Sequence, residues 1–183
     1  MTVDELFSSL SSHMIKGLML HDQMSDYYDF LSLRGYKRCH ECHYKTEMRG
    51  YRKLHRYFIN HYGKLIEEGR VDDPQAIPSS WYRYTRKEVD ANTKRSAVRT
   101  GVEKWIAWEK ETKSKYEDAY RELVNMGEEA AAIFMQDYIK SVDCELKMAE
   151  RKALDLEAVD YSLGFIVGEQ TRIHDKYKRK MKW

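Results

Sequence analysis

Apolar residues recur every three or four positions through four long stretches of the chain, a spacing that is typical of one face of an α-helix. The only two prolines, Pro74 and Pro78, fall between the second and third stretches, so the strongest helix breaker is absent from all four. The sequence therefore predicts an all-α protein. Its four helices are expected at about residues 3–33, 36–68, 93–125 and 128–165.

The lengths of the predicted connections limit how these helices pack. The first and second helices are separated by about two residues, as are the third and fourth, so each pair folds back as an antiparallel hairpin. Residues 69–92 form a much longer connection, which is able to cross the length of the bundle. We predict a four-helix bundle over residues 1–167 with a long crossover between helices 2 and 3, followed by a basic carboxyl-terminal tail over residues 168–183.

Local signals predict where two of the helices begin or end. Gly35 is expected to stop the first helix, because glycine readily adopts the left-handed conformation found at helix ends. Asn92 or Thr93 is expected to cap the third helix, since either side chain can accept a hydrogen bond from a free amide of the first turn.

Several titratable residues fall on the faces that the bundle should bury. An unpaired buried charge costs several kcal/mol, so these groups need partners. Counting from the turns brings acids and histidines of different helices to a similar height, and mixed oxygen and nitrogen donors suit iron or manganese. The predicted metal ligands are His21, Asp22, His43, Glu47, Glu109 and Glu150. The alternative is an interior whose polar groups are paired with tyrosine hydroxyls and basic side chains.

The helix order and two short motifs resemble the ferritin-like superfamily, which includes the small starvation-induced mini-ferritins. One motif is the pair His21-Asp22, and the other runs from His43 to Glu47 and is similar to the H-x-x-x-E pattern of mini-ferritin iron sites. The E-x-x-H pairs that are usual on helices two and four of this family are absent, because Gly50 stands three residues after Glu47. Ala153 stands likewise after Glu150.

The resemblance implies a ferritin-like metal-binding protein with iron-oxidising or iron-storing activity. Tyr28 or Tyr51 would then support the ligands or carry electrons. The resemblance also implies a homo-oligomer, either a dimer or a larger assembly.

The second hypothesis is a non-enzymatic helical interaction protein on the same scaffold, which binds or inhibits a protein or nucleic-acid partner. Residues 168–183 carry six Lys or Arg residues against Glu169 and Asp175, so this tail is able to contact phosphates. Tyr177 and Trp183 would be its stacking groups. The opposing interpretation of the tail is a solvated, frayed helix end.

Three cysteines, Cys39, Cys42 and Cys144, are an odd number and favour free thiols in a reducing compartment. The string from Cys39 to His43 matches C-x-x-C-H, the attachment motif of c-type haem, but covalent haem belongs with exported proteins and the acidic start of the chain does not resemble a secretory signal. A zinc site on Cys39 and Cys42 would need two further ligands.

Other function classes find no motif in the sequence. There is no glycine-rich phosphate loop, no G-x-S-x-G and no H-E-x-x-H, which argues against nucleotide, serine-hydrolase and zinc-protease chemistry. No stretch reaches the roughly 20 apolar residues of a membrane span. We therefore expect a cytoplasmic protein without membrane contact.

Overall fold

A computed structural model describes residues 1–180, without the side chains of residue 80 and residues 178–180, and within that range the fold consists of helices and loops. The α-helices are α1 (Val3–Phe30), α2 (Arg34–Tyr62), α3 (Ala91–Asn125), α4 (Glu129–Glu157) and α5 (Leu163–Lys180). The all-α prediction is confirmed. None of the described helices combines the length and the apolar character that crossing a bilayer requires.

The first four helices pack as two hairpins, α1 against α2 and α3 against α4, and α1 also contacts α3. The connection between α2 and α3 runs along α1, where the backbone amide of Ala76 donates to Oε1 of Gln23 at 2.9 Å and Nε2 of Gln23 donates to Asp73 at 2.8 Å. Further along, the ring of Trp81 packs edge-on against Tyr27. The predicted four-helix bundle with a long crossover between helices 2 and 3 is therefore confirmed.

The turn between α1 and α2 differs from the prediction. The chain reverses at Ser32, whose φ is 60°, and Gly35 already lies inside α2. The prediction that Gly35 stops α1 is wrong. Its lack of a side chain serves packing instead, because a Cβ atom at this position would overlap the backbone carbonyl of Gln170 in α5.

Two other helix ends also differ from the prediction. Asp90 caps α3, since its carboxylate accepts from the backbone amide of Thr93 at 2.7 Å, so the expected cap at Asn92 or Thr93 is wrong by two or three positions. Helix α2 ends at Tyr62 rather than near residue 68, because Gly63 follows with a φ of 66°.

The largest departure from the prediction is a fifth helix. The fourth helix was expected to continue to residue 165, but α4 ends at Glu157 and the chain turns through Asp160 and Tyr161, whose φ values are 46° and 51°. Helix α5 then packs on α2.

Helix α5 is attached to the bundle by apolar and polar contacts. Ile173 and Tyr177 are buried, and Glu169 accepts hydrogen bonds from the hydroxyl of Tyr36 at 2.6 Å and from the ammonium of Lys152. The polar bonds occur inside a largely apolar contact, where a carboxylate needs such partners.

This packing corrects the interpretation of residues 168–183 as a basic tail. Tyr177 is only 7% exposed, so it is not available to stack on nucleic-acid bases. The described part of this segment is a packed helix and not a frayed helix end. Trp183, the other expected stacking group, lies outside the described residues.

The apolar core of the bundle is divided into two clusters along its length. One contains Met24, Tyr28 and Trp105, and the other contains Phe7, Phe58 and Leu123. All four bundle helices contribute to both clusters. The side chains that separate the clusters are polar.

Candidate functional site

A layer of titratable side chains lies between the two apolar clusters, and all four bundle helices contribute to it. We call it the polar layer, and its members are His21 on α1, His40, His43 and Glu47 on α2, Glu109 on α3 and Glu145 on α4. His21, His40 and Glu109 are at most 2% exposed. Groups of this kind are rarely buried unless they are paired or bind an ion.

The imidazoles of the polar layer leave two nitrogen atoms without a partner. Nδ1 of His21 lies 3.1 Å from Nδ1 of His40, and the rings of His21 and His43 are stacked with their centroids 5.2 Å apart. Nε2 of His21 and Nε2 of His43 are buried and make no hydrogen bond to any described residue. A buried polar atom left in this state costs about 1–3 kcal/mol, so both atoms are candidates for binding a ligand.

Glu145 orients the imidazole of His43. Nδ1 of His43 donates to Oε2 of Glu145 at 3.0 Å, so Nε2 is the ring nitrogen that remains for a ligand. Burial by itself lowers the pKa of His43, but the contacts with Cys39 and Glu145 outweigh burial and hold this pKa well above its ordinary value. A carboxylate behind an imidazole is the usual support of a metal-binding histidine.

Two acids of the layer hold protons near neutral pH. Burial and the neighbouring charge of Glu145 raise the pKa of Glu109 to about 8. Burial, Glu145 and Glu109 together raise the pKa of Glu47 to about 8 as well. Oε1 of Glu109 accepts from the indole of Trp105 at 2.8 Å and lies 4.0 Å from Nε2 of His21. A bound cation would displace these protons and offset the charges that they now neutralise.

A cavity of about 260 Å³ opens between α2 and α4, and its lining includes the three acids of the polar layer, Glu47, Glu109 and Glu145. Its walls include Tyr116 and Tyr138, and the hydroxyl of Tyr138 donates to the backbone carbonyl of Gly50 at 2.8 Å. The polar layer is therefore connected to solvent through the seam between α2 and α4.

The structure brings four of the six predicted metal ligands together: His21, His43, Glu47 and Glu109. Asp22 is exposed, because it follows the buried His21 by one position and so points about 100° away around α1. The carboxylate of Glu150 is 45% exposed and lies 3.7 Å from the ammonium of Lys110 on the surface. Neither residue reaches the polar layer.

His40 and Glu145 belong to the polar layer although they were not among the predicted ligands. Both lie on faces whose spacing predicts burial, and His40 precedes His43 by one helical turn. Of the two tyrosines expected to support the site, Tyr28 stacks on His40 with centroids 5.3 Å apart. Tyr51 instead donates to Glu68 in the crossover.

None of the three cysteines forms a disulfide within the described residues, as the sequence predicts, and they differ in their surroundings. Cys39 is buried and contacts His43 and Tyr177, whereas Cys144 is exposed on α4. Nothing in residues 1–180 assembles three or more His, Cys, Asp or Glu side chains closely enough to hold a metal ion as they stand. The C-x-x-C-H string lies within α2, where Cys39 and His43 face the bundle.

No family model and no curated protein matches the sequence. Solved ferritin structures do match the fold. A closed form of the Archaeoglobus fulgidus ferritin, engineered by site-directed mutagenesis, has a TM-score of 0.77 at 14% identity, with 95% of this chain and 96% of that chain covered. The open-pore ferritin of the same hyperthermophilic archaeon has a TM-score of 0.76 at 15% identity, with 93% of each chain covered.

A ferritin from a different organism gives a similar result. The apo-ferritin of Pseudo-nitzschia multiseries has a TM-score of 0.70 at 11% identity, with 92% of this chain and 96% of that chain covered. These likenesses extend over nearly the whole chain. The protein therefore has the ferritin-like fold, as the resemblance of its sequence implies. At such low identity the likeness establishes the fold and leaves the chemistry to be argued from the polar layer.

Proposed function

We propose that the protein binds iron or manganese in the polar layer and uses this site for ferritin-like iron oxidation or storage. The observation that carries the proposal is the pair of buried, unpartnered Nε2 atoms of His21 and His43 beside three carboxyl groups. Nitrogen and oxygen donors of this kind suit iron and manganese. The fold is shared with ferritins, among them a PmFTN variant soaked in iron overnight, which has a TM-score of 0.74 at 11% identity, with 92% of this chain and 96% of that chain covered.

His21 and Glu109 would hold the ion together. Nε2 of His21 and Oε1 of Glu109 are 4.0 Å apart, which is within twice a metal–ligand bond length of roughly 2.0–2.2 Å. His43 and Glu47 would supply further donors, and Glu145 is assigned to orienting His43. Asp22 and Glu150 are left out of the ligand set because their carboxylates lie outside the layer.

The residues of the site also manage protons. Glu47, Glu109 and the imidazole of His43, whose pKa is also raised, hold protons at neutral pH and would release them when a cation binds. The affinity for the ion should therefore rise with pH through about 8. Glu145 keeps its bond to Nδ1 of His43 and leaves Nε2 for the ion. When bound, the metal would supply redox chemistry that the side chains lack.

The test is an anaerobic titration of chelator-treated protein with Fe(II) or Mn(II), followed by desalting and elemental analysis. We expect Glu109→Gln to weaken binding at least about tenfold, because a neutral amide is a poor substitute for a carboxylate ligand. Glu150→Gln is the matched control and should bind as the wild type does. Wild-type protein that holds no metal after loading would contradict the proposal.

A second candidate is a non-enzymatic interaction protein that keeps the ferritin-like scaffold. It is favoured by the fact that no three potential ligand side chains in residues 1–180 converge as they stand. In that case the polar layer is a structural network, and denaturant stability should be the same with and without chelator. Chelator-sensitive stability supports the metal proposal instead, since a ligand that binds only the folded state stabilises it.

We also propose that the chain forms homo-oligomers. Helix α4 exposes Ile133 and Leu154, each 65% accessible, and apolar side chains of this size are costly to leave in water. Light scattering should give a multiple of the 21.9 kDa chain mass, whereas a mass of 21.9 kDa at micromolar concentration would contradict self-association. The double variant Ile133→Ser with Leu154→Ser should shift the assembly toward smaller species.

A further inference from the structure

Basic side chains form a stripe on the solvent-exposed face of α2. Arg49, Arg52 and Arg56 are exposed and stand three and four residues apart, so they lie on one side of the helix. Within residues 1–180 none of the three makes an ion pair. Like charges at this spacing on a helix repel one another, so a bound anion would stabilise this face.

An open groove of about 500 Å³ lies along this stripe, between α2 and α4. Its lining consists of the three arginines with Lys53, Tyr57 and Phe134. The nearby acid Asp137 is neutralised, because Lys53 lies 2.9 Å from its carboxylate. The groove therefore presents positive charge to solvent without a compensating carboxylate in its lining.

The aromatic floor of the groove is already used in packing. Tyr57 and Phe134 are stacked with centroids 3.9 Å apart and an angle of 12°, and Tyr57 is also stacked with His61. The ammonium of Lys53 lies over the ring of Phe134 at 5.3 Å. Proteins that bind single strands by their bases need free aromatic faces, and these rings do not offer them.

We propose that this groove binds linear chains of phosphate groups through Arg49, Arg52 and Arg56. Guanidinium groups form paired N–H bonds with phosphate oxygens, which ammonium groups do not. The rise of the helix spaces the three side chains by roughly 4.5 and 6 Å along the axis, so a chain of several phosphates can contact all three, whereas one small anion cannot. Arg49 also lines the cavity of the polar layer, but Arg52 and Arg56 do not, so variants at these two positions test the groove separately from the proposed metal function.

The experiment measures binding of the full-length protein to inorganic polyphosphate, orthophosphate and single-stranded oligothymidylate by calorimetry at two salt concentrations. We expect the polyphosphate chain to bind, orthophosphate to bind at least tenfold more weakly, and the affinity for the chain to fall as salt rises. Oligothymidylate with the same number of phosphates should bind no more tightly than polyphosphate. Tighter binding of the oligonucleotide would show base recognition and overturn the proposal.

Matched variants separate the groove from general charge. Arg52→Glu with Arg56→Glu should weaken polyphosphate binding at least tenfold. Arg83→Glu with Arg95→Glu changes the net charge equally at exposed positions elsewhere and should change binding less than twofold. Arg52→Lys with Arg56→Lys keeps the charge, and it should lose several-fold in affinity because the paired bonds are lost. Equal losses in the two glutamate variants, or no binding by the wild type, would overturn the proposal.

Discussion

At the scale of single residues, the carboxyl groups of Glu47 and Glu109 determine how the polar layer responds to pH. Each has a pKa of about 8 in the folded protein because it is buried near other acids, whereas an unfolded glutamate titrates near 4.5. The folded state therefore binds more protons than the unfolded state between these values. The stability of the folded state is highest below pH 4.5, the pKa of an unfolded glutamate, and it falls as the pH rises toward 8.

This difference gives a prediction for metal-free protein. From pH 6.5 to 8.5 the free energy of unfolding of the wild type should decrease, and it should decrease less in Glu47→Gln, which cannot lose the proton. His21 and His40, whose pKa values are lowered, add little in this range, because an unfolded imidazole is also neutral above its pKa. His43, whose pKa is raised, adds to the decrease in the wild type and in the variant alike. Denaturant unfolding in the presence of chelator measures the curves. Glu103→Gln, at an exposed position on α3, is the control, and parallel curves for the wild type and Glu47→Gln would contradict the prediction.

At the scale of helices, the contact between α2 and α5 depends on Gly35. The backbones approach so closely there that an added Cβ atom would overlap the carbonyl of Gln170. Backbone atoms cannot rotate away as a side chain can, so α5 would have to shift as a unit and its contacts with Tyr36 and Lys152 would be strained.

We expect Gly35→Ala to destabilise the protein by about 1–3 kcal/mol, in the range of other overpacked sites. Amide hydrogen exchange in α5 should become faster than in α1. Gly168→Ala is the matched control, because no atom lies within 4 Å of its added Cβ and alanine favours the helix, so it should be neutral or stabilising by up to about 1 kcal/mol. An unchanged rate of amide hydrogen exchange in α5 of the Gly35→Ala variant would show that the close approach of the two backbones does not hold α5 in place.

At the scale of the whole molecule, α5 covers one side of the bundle next to the polar layer. Tyr177 contacts the thiol of Cys39, which in turn contacts His43. The helix therefore separates Cys39 from solvent, and Cys39 is 8% exposed with α5 in place.

Removing the chain from residue 158 onward should expose Cys39 to thiol reagents. In a background of Cys42→Ser with Cys144→Ser it is the only remaining thiol, so the rate of its modification is read directly. We expect Cys39 to react at least tenfold faster in the truncated chain. Gly35→Ala should also increase the rate of Cys39 modification in the full-length protein. Circular dichroism verifies that the four remaining helices persist. Equal rates in a truncated but helical protein would show that α5 does not protect the thiol.

Much of the fold follows from local features of the sequence. Helical periodicity predicts the four bundle helices, and the position of Pro74 and Pro78 predicts the long crossover. These predictions succeed because a spacing of three or four residues places apolar side chains on one face of a helix wherever the helix lies in the molecule. The placement of His21, His43 and Glu109 on buried faces is predictable for the same reason.

Only the tertiary structure decides the features that depend on distant residues. Gly35 looks like a helix stop until Gln170 packs against it, and Glu169 looks like a solvated tail residue until Tyr36 bonds to it. The sequence by itself determined that four long helices form a bundle and which of their faces are largely buried. The tertiary structure decided that α5 exists as a packed helix and which acids meet the histidines, because contacts between helices depend on rotations of about 100° per residue that local spacing does not define.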